Sequence, residues 1–216
     1  MVSYKKDHIL FDFDGTIADS FGLFKDTVNS FKDDYFPGEP DFEKYRQGDL
    51  KGFIKSMNTP VYLLPLFLAN LKKDMAKNIE SCDLFPGVEE MLNSLAKKYS
   101  LQVLSCNSTN AINGFLRKKN IEKCFDFVQG ESSVISKRGA IKKALERDGA
   151  YFNNSKVIYI GDEAREVKTC KELGVPVGAV TWGYNDEIAF KGQKPDWLFH
   201  QPIEIDDMMQ RIIEED

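Results

Sequence analysis

Two aspartates set among apolar residues constrain this chain more than any other feature. Residues 8–20 read HILFDFDGTIADS, and Ile9–Phe13 forms a short apolar run of buried-strand type with Asp12 inside it. A buried carboxylate without partners is costly, so Asp12 must have partners or a task. In an extended chain residues two apart point to one side, which predicts that Asp12 and Asp14 converge on a common site. Gly15 then lets the chain turn sharply as it leaves the strand. An Asp-Gly pair alone is an ordinary turn. Two aspartates alternating with phenylalanines at a strand end mark a place of chemistry.

The rest of the chain supplies the sheet such a strand needs. Leu101–Leu104 (LQVL), Phe125–Val128 (FDFV), Val157–Ile160 (VIYI) and Val177–Val180 (VGAV) are short apolar runs, with Trp197–Phe199 a sixth candidate. Helical patterns lie between them: one from Pro86 with Val88, Met91, Leu92 and Leu95 on one face, one after Ser108-Thr109-Asn110, one over Lys137–Arg147 and one over Glu163–Leu173. Strands alternating with helices of this length imply parallel βαβ units and an α/β fold, a doubly wound parallel sheet. The region 20–81 breaks that rhythm. Phe21, Phe24, Val28 and Phe31 recur at helical spacing, Pro37, Gly38 and Pro40 interrupt, Phe42–Met57 reads as a helix, and another starts near Thr59-Pro60. Residues 1–19 and 82–216 are therefore expected to form the α/β domain, and 20–81 a small inserted helical domain.

Three further signals fall at strand ends or the helix starts that follow. In LQVLSCNST, Ser105 and the next amides, Cys106 first among them, are placed to hold an anion at a helix start, although taken alone the pattern favours Ser105, Ser108 or Thr109 simply capping that helix. In SSVISKRGAIKK, Lys137 opens a helix, whereas Lys142 and Lys143 occupy solvated positions. In VIYIGDEARE, Asp162, Glu163 and Glu166 form an acidic cluster whose oxygens suit Mg²⁺, with a helix-capping Asp162 as the plainer reading. In an open parallel sheet, ligands bind outside the carboxyl ends of the strands, where all of these groups gather.

Composition narrows the partners. A net charge of −5 on 216 residues offers no basic footprint for nucleic acid or anionic lipid. The most apolar run, Val61–Ala69, is too short to span a bilayer and contains Pro65. The opening MVSYKKDHILFDFDG reaches charged residues before any signal-peptide core could form. Cys82, Cys106, Cys124 and Cys170 make no CxxC pair, consistent with reduced thiols. These features predict a soluble cytoplasmic protein; both monomer and dimer are compatible with them.

Taken together, the sequence resembles the haloacid dehalogenase superfamily, and within it the phosphoglycolate phosphatase-like hydrolases. Residues 12–16, DFDGT, resemble the first motif of that family, DxDGT; Ser105 matches the second motif and Lys137 is similar to the lysine of the third. GDEARE, residues 161–166, resembles the fourth motif, GDxxxD, except that Glu166 stands where aspartate is usual. VTWGYN, residues 180–185, is also similar to this group, with no chemistry attached to it. The resemblance implies a Rossmann-like core with a helical cap over 20–81 and Mg²⁺-dependent hydrolysis of a small phosphorylated metabolite. It implies Asp12 as nucleophile and Asp14 as acid and base. Ser105, Cys106, Lys137 and Gly15 would hold phosphate, and Asp12, Asp14 through its backbone carbonyl, and Asp162 the metal. A mutase of the β-phosphoglucomutase type would use the same residues. A dehalogenase would not need Asp14 and Asp162, a receiver-type signalling domain would not need the insert, and a non-catalytic phosphate-binding protein would be expected to lose these residues.

Overall fold

The structure, a computed structural model, describes residues 7–131, 137–147 and 157–214. The start of the amino-terminal stretch weighed against a signal peptide, and residues 132–136 of the lysine segment, lie outside the described residues. The chain runs through β1 (His8–Phe11) and β2 (Ala18–Asp19) into five helices, α1 (Phe21–Ser30), α2 (Lys32–Tyr35), α3 (Phe42–Arg46), α4 (Leu50–Met57) and α5 (Leu64–Asn78). It returns through β3 (Asp83–Leu84) to α6 (Val88–Leu95), β4 (Ser100–Leu104), α7 (Thr109–Lys118), β5 (Phe125–Gln129) and α8 (Arg138–Arg147). β6 (Val157–Gly161), α9 (Ala164–Leu173), β7 (Val177–Val180), α10 (Glu187–Phe190), β8 (Trp197–Phe199) and α11 (Ile203–Glu214) complete it.

Six strands form a parallel sheet in the order β5-β4-β1-β6-β7-β8, so the expected α/β architecture is observed. Their unbroken apolar sequences follow from burial on both faces. Along β1, Ile9 and Phe11 enter a core shared with α6, α7 and α11, while Leu10 enters the opposite core with α8 and α9. β6 divides likewise, Ile158 and Ile160 to the first side and Val157 and Tyr159 to the second. The chain order reverses at β1, where His8 pairs with Ser100 on one side and Val157 on the other. A crevice opens at such a point, outside the carboxyl ends of β4, β1 and β6.

β1 stops at Phe11, two residues before the expected end. The Asp12 amide still donates to the Ile160 carbonyl at 2.8 Å, after which the Phe13 carbonyl accepts from Ile17 and Ala18, both at 2.9 Å, and curls the chain. Asp14 thus reaches the site by a turn rather than by strand alternation. β2 and β3, two residues each, pair antiparallel where the chain leaves for the helices and returns; they are too short for any periodicity to announce them.

The helices between them enclose a third core of Phe24, Val28, Phe36, Phe53, Met57, Phe67 and Met75. The single helix expected over Phe42–Met57 is two. Gly48 at φ +80° ends the first, and the Asp49 side chain, accepting from the Gly52 amide at 2.8 Å, starts the second. The helix expected at Thr59-Pro60 begins at Leu64, with Pro65 in its first turn. Among the described residues no helix is long and apolar enough to cross a membrane. None of the four cysteines is joined in a disulfide.

Candidate active site

Asp12 sits at the carboxyl end of the central strand, 3% exposed. Its Oδ1 lies 2.5 Å from the Lys137 ammonium and accepts from the Phe13 amide at 2.6 Å. The same ammonium lies 2.6 Å from Glu166 Oε1, so one buried lysine serves two buried carboxylates. Burial alone would drive the proton off Lys137, but Asp12 and Glu166 hold it well above the ordinary lysine value. Lys142 and Lys143, by contrast, are exposed, as their helix positions suggested.

Asp14 is held by three donors. Ser20 Oγ donates to its Oδ1 at 3.0 Å, while Ser105 Oγ and Asn107 Nδ2 donate to its Oδ2 at 3.3 and 3.5 Å. Burial raises its pKa above the ordinary carboxylate value against the pull of these bonds. Ser20 occupies the cap position of α1 but makes no cap bond with its side chain, which turns to Asp14 instead. The choice left open among Ser105, Ser108 and Thr109 is settled. Ser108 caps α7, accepting from the Ala111 amide at 3.1 Å, and leaves Ser105 to the site.

Gly15 (φ +80°) answers to sterics. A Cβ there would lie 2.1 Å from Asp162 Oδ2 and 2.6 Å from the Tyr184 ring, and the Gly15 amide is engaged by the Ala18 carbonyl at 2.9 Å. The absence of a side chain at Gly15 is what admits Asp162. Cys106 lines the cavity beside Ser105.

Asp12, one of the expected metal ligands, has two further carboxylates beside it, Glu163 and Glu166. Asp12, Glu163 and Glu166 each present a carboxylate oxygen, and these lie within 4.8 Å of one another. The Asp162 carboxylate is positioned by protein donors, its Oδ1 accepting from Thr16 Oγ1 at 3.1 Å and its Oδ2 from the Tyr184 amide at 2.7 Å. The Asp14 side chain is taken by its three donors. Burial, then Asp12, Glu163 and Glu166, raise the Asp162 pKa well above the ordinary value, and burial with Asp12 raises that of Glu166 to about 7. Lys137 and Arg165 are the cations paired to this group among the described residues, fewer than its carboxylates. A surplus of buried carboxylate oxygen fits a hard divalent cation.

The insert roofs this floor. Asp12, Asp14, Ser105, Asn107, Lys137, Glu163 and Arg165 line a cavity of about 110 Å³ whose other walls include Tyr184, Phe24 from α1, Tyr45 from α3, and Leu68, Leu71, Lys72 and Met75 from α5. Tyr45 donates from its hydroxyl to Glu163 Oε1 at 2.7 Å, and Arg165 Nε donates to Glu163 Oε2 at 2.7 Å. The segment after β7, to which the sequence attached no chemistry, clasps the roof. Asn185 donates to the Tyr45 carbonyl at 2.7 Å and accepts from the Ala164 amide, and the Asp186 amide donates to the Arg46 carbonyl at 2.8 Å. Tyr184 puts its ring into the core of the insert and its hydroxyl 3.1 Å from Ser20 Oγ. Sequence reading missed Ser20, Asn107, Tyr45 and Arg165 as site residues; VTWGYN, the segment that carries Tyr184 and Asn185, was the one available hint.

The family model described as haloacid dehalogenase-like hydrolase matches residues 9–180. A phosphoglycolate phosphatase of Synechococcus elongatus is 31% identical over 201 residues, covering 91% of this chain and 94% of that protein. A haloacid dehalogenase-like hydrolase of Streptococcus pneumoniae has a similar structure, with TM-score 0.72 and 24% identity over 94% of this chain and 98% of that one. A Thermotoga maritima structure provisionally assigned as a β-phosphoglucomutase has TM-score 0.64 and 20% identity, covering 95% of this chain and 99% of that one.

Proposed function

Because the chain belongs to the haloacid dehalogenase-like hydrolases, we propose that it is a phosphatase that cleaves a small phosphomonoester through an aspartyl-phosphate on Asp12, with 2-phosphoglycolate the leading substrate. The observation that carries this reading is the pairing of Asp12 with Lys137 at 2.5 Å beside Asp14 in one cavity. The substrate is suggested by the name of the relative from Synechococcus elongatus, matched along most of both chains.

The carboxylate of Asp12 attacks phosphorus, the P–O ester bond breaks, and the leaving alkoxide takes the proton held by Asp14. Asp14 then accepts a proton from the water that attacks the aspartyl-phosphate, which frees Asp12 and releases inorganic phosphate. Its raised pKa suits both duties. Two anions approaching to about 4 Å repel by roughly 4 kcal/mol at an effective dielectric of 20. Lys137 and the Ser105 hydroxyl oppose that repulsion on the protein side. Asp12, Asp162, Glu163 and Glu166, with the main-chain carbonyl of Asp14, would hold Mg²⁺, which when bound neutralises further charge on the transferring group. The helical insert acts as a cap, excluding water from the aspartyl-phosphate and selecting the substrate.

Phosphate release from a panel of phosphomonoesters, in Mg²⁺ and in EDTA, tests the reading. Asp12→Asn should lower turnover roughly 10⁴-fold or more while the far-UV circular dichroism stays native. Retained turnover in that variant would sink the covalent step, and indifference to EDTA would remove the metal. Transfer of phosphate to a sugar instead of water would point to the mutase.

A further inference from the structure

We propose that Lys72 reads a second anionic group of the substrate, a carboxylate a few bonds from the phosphoryl group, and so sets the preference for short phosphorylated acids. The assignment rests on the phosphomonoesterase reading above. α5 turns Leu68, Leu71, Lys72 and Met75 toward the cavity, spaced as one helical face. Three of the four are apolar; the fourth is a half-buried lysine. Lysine along such a wall is expensive to dehydrate unless an anion meets it.

The other cations of the cavity are already engaged. Lys137 is shared by Asp12 and Glu166, and Arg165 is bound to Glu163 through Nε. Lys72 makes no hydrogen bond, ion pair or ring contact among the described residues. Its counter-charge is therefore a ligand's to supply. The floor is committed to the phosphoryl group, so the anion that Lys72 meets belongs to the other end of the same molecule. A cavity of about 110 Å³ leaves room for a short chain between the two ends. A carboxylate fits that length and matches an ammonium in a low-dielectric site.

Steady-state hydrolysis of 2-phosphoglycolate and of ethyl phosphate, which lacks the carboxylate, tests this in Mg²⁺ with wild type, Lys72→Met and Lys72→Arg. Wild type should prefer 2-phosphoglycolate. Lys72→Met should cut the ratio of kcat/KM values between the two compounds roughly ten- to hundredfold, mainly through KM, as expected for loss of a charge-assisted bond. Lys72→Arg should keep most of the ratio, which a merely structural lysine would not predict. An unchanged ratio in Lys72→Met, with both compounds still hydrolysed, would overturn the assignment alone. So would a wild type that cleaves ethyl phosphate at least as well as 2-phosphoglycolate. Wild type releasing phosphate from neither compound would overturn the phosphomonoesterase reading for small substrates, and the assignment with it.

Discussion

On the floor of the cavity, one ammonium lies 2.5 Å from Asp12 and 2.6 Å from Glu166, all three groups nearly sealed from solvent. In the roof the neighbours are rings: Phe24 and Tyr45 at 5.1 Å between centroids, Tyr45 and Phe53 at 5.1 Å, Phe36 and Phe67 at 5.7 Å. The floor is built from strand ends, whose positions are fixed by a hydrogen-bonded ladder, so it can hold buried charges at bonding distance. The roof is built from short helices around a separate apolar core, joined to the floor by polar contacts at Tyr45, Arg46 and the segment after β7. Charge placed with ladder precision suits chemistry. A wall of side chains on a separately cored unit suits selection and closure.

The sharpest way to break this contrast is to remove the cation of the floor. Lys137→Met leaves Asp12 and Glu166 buried without their partner, which should cost about 3–5 kcal/mol of stability and abolish turnover. Urea denaturation and phosphate release check both; near-wild-type stability would mean that the floor does not depend on the pair.

A second test separates floor from roof by pH. Glu166 titrates near 7 in the folded chain against an ordinary 4.5, and burial also raises Asp12, Asp14 and Asp162. A carboxyl with a raised folded pKa binds more protons folded than unfolded between the two values, so stability falls as pH rises through that interval. In EDTA, Tm should decline from about pH 4.5 to about 7, and Glu166→Gln should flatten the decline. Mg²⁺ should flatten it as well. A Tm rising across that window would contradict the charge balance drawn for the floor.

The smallest effect is expected at the seam. Tyr45→Phe deletes the donor to Glu163, which keeps its bond from Arg165, so the cost should be about 1 kcal/mol. Urea unfolding reads it, and a loss several times larger would mean that floor and roof are one cooperative unit.

The six strands of the parallel sheet and their crossovers were legible because each depends on local pattern: short apolar runs of three to five residues, and helices with spaced apolar faces between them. The start of α5 and the break between α3 and α4 were misread. The signals there, Pro65 in a first turn and Gly48 with Asp49, compete with equally ordinary signals nearby. Asn107 and Ser20 carried no mark at all, since an asparagine two residues past a serine and a serine at a helix start are common everywhere. Both become site residues only because the turn after Asp12 brings Asp14 to them.

The sequence by itself determined the parallel sheet and put Asp12, Ser105 and Asp162 at strand ends, because alternation, turn chemistry and strand length are properties of short stretches. Tertiary structure alone decided which carboxylates face one another. Glu163 and Glu166, not Asp162, share oxygens with Asp12 within 4.8 Å, because Thr16 and the Tyr184 amide, 146 and 22 residues away along the chain, hold the Asp162 carboxylate. Which side chains meet across such separations depends on how the crossovers pack, and no local pattern encodes that.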